Sequence, residues 1–148
     1  EMSGVLANQV NILDIMLASL QLDGVDIVRI RLMNKDSLEM SKADHDLIAE
    51  TAGSMARGHD GVVVVHGTDR LSISGERTLA MNPEINCPIV FTGAMRPYEM
   101  RTTDAIQNMT EALLAVQFLA PGVYVAMHNK VLSFPGARKD LENGTFIK

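Results

Sequence analysis

The stretch Gly61-Val62-Val63-Val64-Val65-His66-Gly67-Thr68-Asp69 decides how this chain is read. A short, uniformly β-branched run such as Gly61–Val65 suits a strand buried on both faces. A polar tetrad follows at once. Beyond it a helix is expected from near Asp69 to just before Asn82-Pro83, where proline ends it. A strand that passes through a tight polar turn into a helix is the building unit of a parallel sheet.

Working outward, the same unit recurs. Asp26–Met33 alternates apolar and polar residues, and Pro88–Phe91 and Val123–Met127 are short apolar runs, so all three are read as strands. Helical spacing falls between them. Asn8–Leu20 puts Ile12, Ile15, Met16 and Leu20 on one stripe. A second helix starts at Ser41, with Asp44 placed for a capping box, carries Leu47, Ile48, Thr51, Ala52 and Met55, and stops at Gly58. A fourth runs from about Thr103 to Leu119 through Ile106, Met109, Leu113, Val116 and Phe118, ending at Pro121-Gly122. The last fifteen residues read as a loop with a short tail. The alternation predicts an α/β fold in one domain: an open, mostly parallel, Rossmann-like or flavodoxin-like sheet with helices on both faces.

Composition narrows the function. A chain of 148 residues suits one domain, and 47% apolar content is ordinary for a packed core. The net charge is −5 and no Lys/Arg cluster is long enough to track phosphates, which argues against a nucleic-acid partner. No apolar stretch reaches the roughly 18 residues that span a bilayer, so no membrane partner is expected. The single cysteine, Cys87, sits in an apolar run and reads as a small buried hydrophobe. It allows no disulfide within the chain and mildly favours a reducing, cytoplasmic setting. The start Glu1-Met2 shows no signal segment, and a native start at Glu1 is not expected.

In open parallel sheets ligands bind outside the carboxyl ends of the strands. That rule selects Asn34–Met40, His66–Asp69, Thr92–Tyr98 and His128–Lys139. Gly67 would let the backbone approach a ligand. Thr68 and Asp69 either cap the following helix or hold a carboxylate, oxyanion or ammonium group there. His66 is either a general base or a packed, hydrogen-bonded histidine, while His45 and His59 are read as solvated. Ser37 either binds a substrate carboxylate or forms a turn into the Ser41 cap. Asp104 reads as a cap or a supporting residue, with Asn108 one turn on. Lys139 is either solvated or a base beside a threonine hydroxyl. No Cys/His cluster has metal spacing, and there is no G-x-G-x-x-G, P-loop lysine or G-x-S-x-G, so no metal or cofactor is expected.

The runs D-G-V-V-V-V-H-G-T-D (Asp60–Asp69), F-T-G-A-M-R-P (Phe91–Pro97) and T-D-A-I-Q-N (Thr103–Asn108) resemble the bacterial-type L-asparaginase/glutaminase family, in order and spacing. The chain is most similar to the short, single-domain members. The resemblance implies that Thr68, Asp69 and Lys139 form a threonine–lysine–aspartate triad. It implies that Ser37 binds the substrate α-carboxylate, that Asp69 meets the α-amino group, and that the Ala94 carbonyl faces the amide being cleaved. The implied reaction is hydrolysis of the L-asparagine side-chain amide, with L-glutamine as a weaker substrate, through an acyl-threonine. The family also implies a homo-oligomer.

Three departures qualify it. The family's first strand ends in T-G-G-T, whose second threonine is the primary nucleophile, and a mobile loop follows. No such motif occurs between Glu1 and Lys148. The expectation is that this strand and loop precede Glu1, and that residues 1–148 form the N-terminal-type α/β domain without them. Leu38 stands where the long enzymes often carry a polar residue, and no second domain follows Lys139 to supply acids to a neighbouring site. A competing reading is therefore a catalytically incomplete amino-acid-binding module. A third, the related amidotransferase component that feeds ammonia to misacylated tRNA, is disfavoured by the acidic balance and the absence of extra domains.

Overall fold

A computed structural model describes residues 4–33 and 35–148. The Glu1-Met2 start and Asn34, at the head of the Asn34–Met40 segment, lie outside those residues. The elements in chain order are α1 (Gly4–Ser19), a 3₁₀ turn (Ser37–Glu39), α2 (Lys42–Ala56), β1 (Val62–Val65), α3 (Leu71–Met81), β2 (Pro88–Thr92), α4 (Ala105–Ala115), β3 (Gly122–Met127), β4 (Lys130–Ser133), β5 (Arg138–Asp140) and β6 (Thr145–Ile147).

The main sheet has the order β1-β2-β3-β4, with β1, β2 and β3 parallel and β4 antiparallel to β3. Central β2 is fully buried, and its side chains split by the two-residue period of a strand. Ile89 and Phe91 face a core shared with Ile48 and Ala52 of α2, Leu71 of α3, and Phe134 and Phe146. Val90 faces the opposite side, against Ala112 of α4 and Ala126 of β3. Each fully buried Val, Ile, Leu or Phe side chain among them stabilises the fold by roughly 1.5–3 kcal/mol. Helices thus cover both faces, as the alternation predicts. The Ser41 capping box also forms: Asp44 N–H donates to Ser41 Oγ at 3.2 Å, and Ser41 N–H to the Asp44 carboxylate at 2.9 Å.

Several expectations are corrected. Residues 26–33 form no strand and join no ladder, and Ile27, Val28 and Ile30 are exposed. An alternating sequence makes a strand only where a neighbouring edge takes up its backbone hydrogen bonds. Here residues 26–33 and the free edge of β1 instead line a groove of about 450 Å³. The four valines of β1 are consequently half-buried rather than buried on both faces. The tail is not a loop. His128 and Asn129, both at positive φ, turn β3 back into β4, and β5 and β6 form a second hairpin. The α1 stripe runs through Ile12, Leu13, Met16 and Leu20, with Ile15 exposed, and Ile106 and Phe118 point away from the core. Cys87 is buried as expected, its thiol donating to the Ala56 carbonyl at 3.4 Å. Among the described residues no helix is long and apolar enough to cross a membrane.

Candidate active site

The carboxyl ends of β1 and β2 open into a cavity of about 430 Å³, and Ser37, Gly67, Thr68, Asp69, Ala94 and Lys139 all line it. These six of the residues singled out from the sequence therefore meet in one place.

The turn after β1 makes this possible. α3 begins at Leu71, and no side chain caps it, so Thr68 and Asp69 are not helix caps here. Both turn to Lys139 on β5 instead. Lys139 Nζ lies 2.9 Å from Thr68 Oγ1 and 2.7 Å from Asp69 Oδ1. Ser72 Oγ donates to the Ala137 carbonyl at 2.9 Å and pins the β5 segment to α3. Thr68 is 7% exposed, so its hydroxyl is partly withdrawn from water but open on the cavity side. A lysine nitrogen at this distance is placed to take the hydroxyl proton once it is unprotonated, and Asp69 orients the nitrogen.

Two glycines set the spacing of the walls. A Cβ on Gly67 would lie 2.9 Å from Ser37 Oγ. Gly67 therefore brings the 3₁₀ turn against the β1 end, where Ser37 Oγ accepts from Arg70 N–H at 3.3 Å. A Cβ on Gly93 would collide with the His66 carbonyl oxygen, a backbone atom that cannot swing aside. Gly93 thus lets the end of β2 close on the end of β1 near the Thr68 methyl, and Ala94 follows it in the cavity lining.

A polar chain leads inward from His66, which also lines the cavity. His66 is 3% exposed, with Nδ1 2.6 Å from the Gly67 carbonyl and Nε2 2.8 Å from Ser74 Oγ. His45 Nδ1 lies 2.7 Å from the same Ser74 oxygen. The Gly67 carbonyl can only accept, so His66 carries its proton on Nδ1. Ser74 donates to His66 Nε2 and accepts from His45 Nδ1–H. Burial pushes the His66 imidazole down to about 4, against the raising effect of its bond to Gly67. His66 is the packed histidine of the two alternatives. His45 is a correction: at 4% exposure it is buried, because α2 turns that face onto α3, and burial lowers its pKa too.

A second cluster lies under the Ala94 side. Asp104 is 2% exposed and, like Thr68 and Asp69, caps nothing with its side chain. It accepts from Met95 N–H (3.0 Å), Arg96 N–H (2.9 Å), Asn108 Nδ2 (2.8 Å) and His128 Nε2 (2.6 Å). Burial raises its carboxyl, but the bonds from Arg96, Met95, His128 and Asn108 outweigh that and hold it down to about 2. His128 is the residue that sequence reasoning missed. It heads the strand-end segment His128–Lys139 but was given no role, and its His-Asn pair between two apolar runs is a weaker hairpin mark than Asn-Gly.

Residues 1–143 match the family description "Asparaginase, N-terminal". The L-asparaginase of Thermococcus kodakarensis is 33% identical over 112 residues, which is 74% of this chain and 34% of that one. One component of the glutamyl-tRNA(Gln) amidotransferase of Haloquadratum walsbyi is 37% identical over 83 residues, 56% of this chain and 19% of that one. The solved structure of the thermostable L-asparaginase from T. kodakarensis superposes with a TM-score of 0.81 at 28% identity, covering 93% of this chain and 42% of that one. A probable cytoplasmic L-asparaginase from Campylobacter jejuni superposes with a TM-score of 0.76 at 31% identity, covering 90% of this chain and 44% of that one. The chain thus spans less than half the length of these relatives.

Proposed function

The chain belongs to the asparaginase family, and from that premise we propose that it is the N-terminal-type catalytic domain of an amidohydrolase acting on the side-chain amide of L-asparagine. The observation that carries the reading is the Lys139 nitrogen within 2.9 Å of Thr68 Oγ1 and 2.7 Å of Asp69 Oδ1, in the cavity shared with Ser37 and Ala94. In the proposed reaction a threonine oxygen attacks the side-chain carbonyl carbon and forms an acyl-threonine ester. The C–N bond breaks, and the nitrogen leaves as ammonia after gaining a proton. Water then splits the ester to give L-aspartate and frees the threonine. Lys139, beside Thr68 Oγ1, takes the proton from the attacking hydroxyl, delivers it to the leaving nitrogen, and in the second half returns a proton from the water to the threonine oxygen. Asp69 orients Lys139 and meets the substrate α-amino group. Ser37 and the Gly67 backbone receive the α-carboxylate, and the Ala94 carbonyl receives the amide.

We assign the groove between β1 and residues 26–33 to the family's T-G-G-T strand. Its floor is apolar, with Met40, Ile48 and Ala52, and among the described residues no strand pairs with this edge of β1. A strand seated there would give residues 26–33 the ladder partner their alternation anticipates, and would bring the primary nucleophile to the cavity opposite Thr68. The proposed protein works in the cytoplasm as a homo-oligomer, with L-glutamine as a weaker substrate.

The test is ammonia release from L-asparagine by the full-length protein, followed by enzyme-coupled detection. Sustained release supports the proposal. Binding of L-aspartate with no release from either amide would make this an amino-acid-binding module instead. The similarity to the amidotransferase component favours a second reading, as an ammonia-supplying protein within such a complex. That reading predicts release that depends on a misacylated tRNA complex.

A further inference from the structure

The loop after β2 is held in an uneven way. Asn108 Nδ2 donates to the Gly93 carbonyl at 2.8 Å, and the amides of Met95 and Arg96 both donate to Asp104. Among the described residues, Asp104 and Asn108 thus hold the loop on both sides of Ala94, while the Ala94 carbonyl oxygen has no hydrogen-bond partner. The Ala94–Met95 peptide is trans, so its N–H and C=O point in opposite directions. With the N–H aimed at the buried Asp104, the C=O is aimed away from it, and Ala94 itself lines the cavity. The N–H is also bonded to a carboxylate. A charge-assisted bond on one end of a peptide draws density onto the oxygen at the other and makes it a better acceptor.

The carboxylate itself is braced. Asn108 holds it from one turn along α4, and His128 holds it from the β3–β4 turn. His128 sits at φ 54, a left-handed conformation that costs a non-glycine residue on the order of 1 kcal/mol. That conformation directs its N–H to Asn108 Oδ1 at 3.1 Å and its ring to Asp104, with Thr145 Oγ1 2.8 Å from the other ring nitrogen.

We propose that Asp104, braced by Asn108 and His128, is the positioning residue that orients and polarises the Ala94 carbonyl as acceptor for the amide group to be cleaved, and so sets selectivity for amides over esters. The inference rests on the amidohydrolase reading above. An ester oxygen has no hydrogen to donate, so the Ala94 carbonyl helps bind an amide and not the matching ester.

The experiment is calorimetric titration of the full-length protein in a Thr68→Val background, where neither ligand turns over, with L-asparagine and with L-aspartate β-methyl ester. Asp104→Asn should weaken asparagine binding about tenfold, one hydrogen bond's worth, and leave the ester within about twofold. His128→Asn keeps a residue suited to positive φ but is too short to reach Asp104. It should shift the ratio in the same direction by about threefold, and it stands in if Asp104→Asn does not fold. Equal losses for amide and ester, or no change in either, would overturn the role of Asp104. Binding of neither ligand before Asp104 is touched would overturn the amidohydrolase reading instead.

Discussion

Asp69 and Asp104 both stand where a strand end gives way to a helix, yet they live in opposite environments. Asp69 is on the cavity rim with its side chain 39% exposed, and one lysine partners it. Asp104 is 2% exposed and accepts from four donors. The difference separates a reacting group from its frame. A residue that must change partners during a reaction keeps few fixed bonds. A residue that holds a loop still gathers many, and its burial makes each one harder to give up.

That contrast can be broken by experiment. On the reacting side, Thr68→Val should reduce ammonia release by about a thousandfold or more while leaving the denaturation midpoint near its original value. Lys139→Met should follow it closely, because it removes the proposed base without burying a charge. Turnover at the normal rate in Thr68→Val would remove that hydroxyl from the mechanism. On the framing side, the effect should appear in stability. Asp104→Ala strands the donors of Met95, Arg96, Asn108 and His128, and should cost about 3–5 kcal/mol by urea denaturation. A cost below about 1 kcal/mol would show that the cluster is not a frame.

Acid provides a third, intermediate effect. His66 has a folded-state pKa of about 4, below the ordinary 6.5. Between those values the unfolded chain binds a proton that the folded chain refuses. Stability is therefore whole above pH 6.5 and falls as pH drops toward 4, by about 3 kcal/mol in all. Asp104 has its pKa lowered from 3.8 to about 2, so its contribution is present above 3.8 and is lost as pH falls through 2. That adds a second loss on the order of 2 kcal/mol. Urea midpoints at pH 7, 5, 4 and 3 would trace both. A flat profile from 7 to 4 would contradict the buried neutral His66. The smallest effect expected is from Ser37→Ala, which should raise KM for asparagine about tenfold with kcat little changed, since it removes one bond to a distant part of the substrate.

How much of this was legible before folding differs by feature. H-G-T-D, the F-T-G-A-M-R-P loop and the three parallel strands could be read directly, because periodicity and glycine placement are local properties. Lys139 could be named from family resemblance, but its contact with Thr68 spans 71 residues and no local pattern encodes it. His45 looked like a surface residue on its own helix, since nothing nearby in sequence reveals that α3 covers it. The hairpins after Met127 were hidden for a related reason. A His-Asn turn and a strand as charged as Arg138–Asp140 carry little hydrophobic signal, and pairing alone makes them strands.

The sequence by itself determined the alternation of elements, the family, and the residue types gathered at the strand ends, all of which follow from local spacing and side-chain chemistry. The tertiary structure alone decided which way each polar group faces. Thr68 and Asp69 turn to Lys139 rather than to the helix start, Asp104 turns to the Ala94 loop, and residues 26–33 stay out of the sheet. Each outcome depends on which donors and edges lie within about 3 Å once distant segments pack, and a hydrogen bond's direction is settled only there.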